Sequence, residues 1–332
     1  MQSQFDCIKM HFTSPLHLSK GREQYDKSAE LLHSDTLCAA LFHSAIQLGA
    51  SEDDVLEMFS QVRITSAFPF EGDNYFFPKP MMALPFEMKG IEKEKQGKPF
   101  KKIQYLSKYW FEKAINGENA GIEKEHLSDK KYLSEVPVGV IMKKNVTQRV
   151  SIAPDYTDDA KQYFVERVYF GEKAGLYILV NWLGDKHRNL FKQAFRLLGD
   201  LGIGTDKSTG NGYFVPEFDQ VTLRIPDTPT HQVSLGMFLP AEGEVDRDTA
   251  SKSAWALSKR GGYMAGAPRQ DHISLRKRSV FMFDPGSVFP AKPMHGKIID
   301  LRPDWTGLDY PVWRDGRPLF VSVKINAVSN EN

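Results

Sequence analysis

Sixteen residues, Gly199–Phe214, constrain this chain more than any others: GDLGIGTDKSTGNGYF. Gly202, Gly204, Gly210 and Gly212 bracket the polar run Thr205-Asp206-Lys207-Ser208-Thr209. Glycine lets a backbone take φ > 0 and approach another chain or a ligand with no Cβ in the way. Amides, a lysine and two hydroxyls in such a loop suit phosphate oxygens. The order of elements separates it from the common phosphate loops. A Walker A loop requires Gly where Asp206 stands, and a dinucleotide loop requires Gly where Lys207 stands. Both also place their glycines before a helix. Here Asn189–Leu201, apolar at Leu190, Phe191, Ala194, Phe195, Leu198 and Leu201, has helical spacing and precedes the glycines. The strand-like run Phe218–Ile225 follows them. A long helix C-cap and turn is the structural alternative.

The rest of the chain reads as soluble α+β. It has 332 residues, 41% hydrophobic and 26% charged, with net charge +1, enough for a full core and two domains. No apolar run reaches the ~18 residues of a membrane span, and Met1–Phe12 has no signal-peptide core, so no membrane partner and a cytoplasmic location are expected. Cys7 and Cys38 fall in a strand and a helix and read as buried small residues, not as a disulfide or metal site. No metal-ligand spacing is visible and no cofactor is expected. Charge is locally uneven: Lys89–Lys113 holds eight Lys against three Glu, and Trp255–Val280 holds six Lys/Arg against Asp271. Such patches on a neutral chain are solvated faces or sites for a structured RNA.

Gln4–Phe12 reads as a strand and Ser34–Gly49 as a helix with Ser34 as N-cap and Leu37, Leu41, Ala45 and Leu48 as its stripe. The intervening loop brings His17, Lys20, Arg22, Lys27 and His33 toward that helix start, a workable anion site that Asp35 opposes. Val62–Phe70 and Tyr75–Phe77 form a strand pair. Residues 85–135 read as a charged surface insertion with a helix near Tyr105–Ile115. Arg149–Tyr169 reads as a projecting hairpin with a turn-rich tip at Ala153–Lys161 and Lys143, Lys144 and Arg149 at its base. Stripped of insertions the first 226 residues are βαββαβ, a ferredoxin-like, RRM-like arrangement. Residues 227–332 read as a second α+β unit, with a helix at Asp246–Arg260 burying Ala254, Trp255 and Leu257, and basic Arg276-Lys277-Arg278 leading into an aromatic strand.

Several stretches then match one family: His33-Ser34-Asp35-Thr36-Leu37, Ser66-Ala-Phe-Pro-Phe with Tyr75-Phe-Phe-Pro-Lys-Pro80, the post-helix glycine loop, Val280–Phe289, and Tyr310-Pro-Val-Trp-Arg-Asp-Gly316. The chain resembles the fourth subunit of the Csm (type III-A CRISPR) effector, within the RAMP superfamily. That resemblance implies two ferredoxin-like domains, 1–226 and 227–332, and a β-hairpin thumb at about 141–175. It implies a non-catalytic subunit that holds the 5′ handle of a crRNA. Its partners would be the large polymerase-like subunit and a backbone RAMP subunit, with the thumb against target RNA. The implied RNA-binding residues are His33, Ser34, Lys143, Lys144, Arg149, Gly202, Gly204, Lys207, Ser208, Thr209, Gly210, Asn211, Gly212, Arg276, Lys277 and Arg278, with Tyr263 as a stacking surface. An endoribonuclease is the competing reading, with His17, His33, Asp26 and Asp35 as its candidate groups. A P-loop nucleotide enzyme is a third, which Asp206 and the helix order disfavour.

Overall fold

The structure is a computed structural model and describes residues 1–19, 25–90, 97–151, 161–205, 207–264, 272, 274–304 and 307–326. In chain order the first half comprises β1 (Gln2–Phe12), α1 (Ser34–Gln47), α2 (Glu52–Ser60), β2 (Val62–Ile64), β3 (Phe68–Glu71) and β4 (Asn74–Pro78). It continues with β5 (Phe86–Met88), α3 (Gly97–Lys102), β6 (Tyr105–Ser107), α4 (Lys108–Ile115), β7 (Ala120–Ile122), β8 (Leu127–Ser128) and β9 (Tyr132–Leu133). Then come β10 (Met142–Ser151), β11 (Lys161–Phe170), β12 (Ala174–Trp182), α5 (Arg188–Leu201) and β13 (Phe214–Arg224). The second half holds β14 (His231–Ser234), α6 (Arg247–Ser251), β15 (Leu257–Arg260), β16 (Val280–Phe283), β17 (Val288–Pro290), β18 (Ile298–Asp300), β19 (Trp313–Asp315) and β20 (Phe320–Val323).

The fold is mixed α+β with few helices and one large sheet. Its order is β13-β1-β12-β3-β4-β6-β9-β8, with β2 also on β12. The pairings among β13, β1, β12 and β3 are all antiparallel. Alternation along β1 sends Ile8 and Met10 to one face and Cys7 to the other. The Ile8 face is covered by α1, α2 and α5 through Leu37, Leu41, Val55, Phe191, Phe195 and Leu198. Helix α1 starts at Ser34, with His33 rather than Ser34 in the N-cap position. Its buried stripe stops at Ala45, and Leu48 is exposed because Gly49 turns the chain away at φ +87.

The opposite face is also covered, and residues 85–135 are not the surface insertion their charge suggests. Phe86, Met88, Ile103, Trp110, Phe111 and Ile122 are buried against the sheet. Beside them lie Val233, Leu235, Val288, Leu319, Val321 and Val323 of the second half. Lys89, Lys101, Lys102, Lys124 and Lys130 are exposed, while aromatics pack inward, as in the stacked pair Phe77–Phe111 at 4.4 Å.

In the second half β14 lies between β17 and β20, β15 pairs with β16, and β18 with β19. The helix expected at Asp246–Arg260 is only Arg247–Ser251. Ala254 bridges Val288, and Leu257–Arg260 is a strand on β16. Trp255 and Leu257 are consequently exposed, not inward. Among the described residues no helix is long and apolar enough to cross a membrane, and both cysteines are buried free thiols.

Candidate nucleic-acid interface

The glycine loop is half wall and half tip. Gly202, Gly204, Gly210 and Gly212 all have φ between +75 and +98, which is why L side chains are absent there. At Gly212 a Cβ would meet the Ile203 carbonyl at 1.9 Å, and at Gly204 the His17 carbonyl at 2.4 Å. These close approaches let the loop fold onto itself and onto the segment after β1. Ile203 N–H donates to Gly212 O, Thr205 N–H to His17 O, and Gly212 N–H to Pro15 O. Gly202 and Gly210 amides are likewise spent within the loop and helix end. Gly202, Asn211 and Gly212 are buried. The tip is different. Lys207 and Thr209 are exposed in a short 3-10 turn. Gly204 and Lys207 carry amides with no partner among the described residues. Asp206 and the Ser208 side chain lie outside the described residues.

The β10–β11 hairpin leans on this tip. Arg149 Nη1 donates to Thr209 Oγ1 at 3.4 Å. Period-2 alternation and the register Lys143↔Tyr169, Asn145↔Arg167, Arg149↔Tyr163 put Lys143, Arg149 and Arg167 on the same hairpin face. Arg167 is a cation that the sequence reading passed over. Counting alternate positions forward along β11 from Tyr163 reaches it. Lys144 projects from the other face and is committed elsewhere, to Glu30 and Glu166 at 3.3 Å each and to Ser28 O at 3.0 Å. The expected tip, Ala153–Lys161, falls mostly outside the described residues, as do Lys20 and Arg22.

The helix start does not form the anion site its basic loop suggests. His17 has no solvent exposure. Its Nδ1 donates to Glu166 O at 2.6 Å, and its Nε2 is buried without a partner among the described residues. Ser34 is buried, and its hydroxyl accepts from Met237 N–H at 2.8 Å. Asp35 is fully buried between Arg260 (2.9 and 3.0 Å) and Arg314 (2.5 Å). Burial alone pushes its carboxyl up, but Arg314 and then Arg260 outweigh it and hold the pKa at about 2. Beside it, burial and then the Arg260 charge bring His33 down to about 4. This is a charge-paired joint between α1 and the second half.

Tyr263 and the basic run form a separate patch. The Arg276 guanidinium lies over the Tyr263 ring at 5.6 Å, covering one face of it. Arg278 pairs with Asp304 at 3.3 Å and donates to Asp300 O. Lys277 points to the other side, where burial and then the Arg314 charge lower its pKa to about 8. The structure thus joins Arg149 to Thr209 beside Lys207, places Lys143 and Arg167 on the same hairpin face, and leaves Ser34 and Lys144 engaged within the protein.

Comparison with known proteins gives the chain a family. The RAMP superfamily model matches residues 9–215, and the model of the CRISPR Csm4 C-terminal domain matches residues 227–323. The chain is similar to the CRISPR system Cms protein Csm4 of Thermococcus onnurineus, 29% identical over 269 residues covering 78% of this chain and 84% of that one. It is 26% identical over 328 residues to the Csm4 protein of Mycobacterium tuberculosis, covering 97% of both. In three dimensions it resembles a chain of a Csm1–Csm4 cassette bound to cA4, with TM-score 0.63 and 22% identity, covering 98% of this chain and 100% of that one. A chain of a Csm3–Csm4 subcomplex of the type III-A interference complex matches with TM-score 0.60 and 18% identity, covering 97% and 100%.

Proposed function

The chain belongs to the RAMP superfamily and to its Csm4 group, and from that premise we propose that it is a non-catalytic RNA-binding subunit of a type III-A CRISPR effector. It holds the 5′ handle of the crRNA and joins a large polymerase-like subunit to the first backbone RAMP subunit. Relatives crystallised with Csm1 and with Csm3 support the two protein partners. The strand order β13-β1-β12-β3 with α1 and α5 on one face is what a ferredoxin-like βαββαβ unit would have. On that reading residues 1–226 are one such domain, 227–332 a second, irregular one, and β10–β11 is the thumb that meets guide–target pairing.

The observation that carries the reading is the contact of Arg149 with Thr209. It brings Arg149 against the exposed loop tip with Lys207, while Lys143 and Arg167 share its hairpin face nearer the base. These four cations and two unpartnered amides suit phosphates of a single strand and carry no sequence preference. The other face of the sheet, where an RNA-recognition module would stack bases, is filled by protein. Two of the ribonuclease candidates are committed within the protein: His17 is sealed under the loop and Asp35 is held by two arginines.

The test is handle binding by the triple variant Lys143→Ala, Arg149→Ala, Lys207→Ala. Affinity for a handle oligonucleotide should fall by about two orders of magnitude at low salt. The slope of log affinity against log salt should flatten by about 0.7 per lysine or arginine removed. Unchanged affinity and slope would remove this face from the site. Repeat RNA incubated with the wild-type chain, with and without a divalent metal, should be protected and not cut.

A further inference from the structure

Between α1, α2 and the second half runs an open groove of about 390 Å³. Its lining is chiefly apolar: Phe42 and Ile46 from α1, Leu56 and Phe59 from α2, Val312 and Trp313 from the facing strand region. Ile46 is 39% exposed, and Leu48, just beyond on the same helix end, is 46% exposed. Large aliphatic side chains left open at one place mark a surface that another molecule covers.

The charges in and around this groove say what kind of molecule. Lys277 lines it, and its ammonium has no hydrogen-bond or ion-pair partner among the described residues. A half-buried lysine without a counter-ion is costly unless a ligand supplies one. The first turn of α2 stands beside it too, Glu52-Asp53-Asp54, all exposed. Glu52 lines the groove and accepts from Trp313 Nε1 at 2.9 Å. Asp315 also lines it but is already paired with Arg317 at 2.7 Å. The groove is therefore apolar along its length, positive at Lys277 and negative at the α2 end.

We propose that this groove docks a polypeptide segment of a second protein, with an apolar face, a carboxylate that reaches Lys277 and a basic residue that reaches Glu52–Asp54. RNA fits it badly. A strand of uniform negative charge meets three carboxylates at the α2 end. A peptide or helix that alternates apolar anchors with one charge of each sign satisfies every feature at once. The proposal rests on the reading of the chain as a subunit of a larger complex, and it assigns one face of it to a protein neighbour.

The experiment places a photo-crosslinking benzoylphenylalanine at Ile46, in the complex assembled from this chain and the other subunits encoded with it. Irradiation should give an adduct with a partner protein, mapping to a segment that carries an acidic residue among apolar ones. Ile46→Glu should weaken assembly about tenfold or more while its thermal midpoint stays near wild type, since the side chain is already part-exposed. Lys277→Glu should weaken it too, and Lys or Arg in place of the mapped partner acid should restore it. Adducts to RNA, adducts to a second copy of this chain, or an intact complex with no adduct and full-strength assembly of Ile46→Glu would each overturn the proposal. Retention of handle RNA is measured in the same preparations. Normal retention with no protein adduct sinks this groove alone, whereas a wild-type chain that joins no complex sinks the subunit reading with it.

Discussion

Asp35 shows how a residue's neighbours in space can reverse its local meaning. In sequence it is an acid in the first turn of a helix, where a carboxylate is favoured by the helix dipole. In the fold it is the shared counter-ion of Arg260 and Arg314, 225 and 279 residues away. Nothing in a local pattern points to partners so distant, so the joint was not readable beforehand. Asp35→Ala would leave two buried or part-buried guanidinium groups without a counter-ion. It should cost about 3–5 kcal/mol, read from urea denaturation. A loss below about 1 kcal/mol would mean that the arginines find other partners. His33 adds a pH dependence whose sign is fixed. Its folded pKa of about 4 lies below the ordinary 6.5, so the unfolded chain takes up the extra proton between those values. Stability contributed by neutral His33 is complete above about pH 6.5 and lost as pH falls toward 4. His33→Gln should flatten that part of the stability curve relative to wild type, and parallel curves would show that His33 titrates normally.

Elements with a clean period were readable, and those decided by tertiary pairing were not. α5, the glycine loop and β13 stand in the expected order, because α5 has an apolar stripe from Phe191 to Leu198 and glycines end it. The β10–β11 hairpin follows from alternation. α2 was passed over although Ser51 caps it by accepting from Asp54 N–H and three acids fill its first turn, an ordinary helix-start signal. The run from Asp246 misled because β16 recruits Leu257–Arg260 as a strand. For the loop, the glycines' purpose differs from that first suggested: most serve contact with protein, not with phosphate. Substitution separates the two uses. Gly212→Ala combines φ +77 with a Cβ at 1.9 Å from a carbonyl and should destabilise the chain by several kcal/mol, on the order of 3 or more. Gly210→Ala has φ +87 but open space around it, and should cost only about 1 kcal/mol. Thermal denaturation of the pair checks this, and equal losses would show that backbone strain alone matters.

At the scale of the whole molecule, the large sheet is buried on both faces, and this decides which parts are removable. Residues 85–135 look dispensable by composition, yet they bring Phe86, Trp110, Phe111 and Ile122 onto the sheet face that the second half also shares. Deleting them strips cover from Phe76 and Phe77, which pack on Tyr132 and Phe111 and have no measurable exposure. At about 25 cal/mol per Å² of apolar surface, uncovering several aromatics exceeds the few kcal/mol by which domains of this kind are stable. The deletion should give insoluble or unfolded chain. The hairpin is the opposite case. On its outer face Val146 and, beyond Val165, Val150 and Phe164 are about half exposed, so these positions add little to the core. Replacing residues 148–164 with Asn-Gly joins Thr147 to its cross-strand partner Val165 through a two-residue turn. It also keeps Glu166, whose carbonyl holds His17 and whose carboxylate accepts from Ser28 N–H. That variant should unfold within a few degrees of wild type while losing the Arg149–Thr209 contact, and with it affinity for the handle strand. If instead it unfolds as badly as the 85–135 deletion, the hairpin belongs to the core and the division between a two-sided scaffold and a projecting RNA-facing arm is wrong.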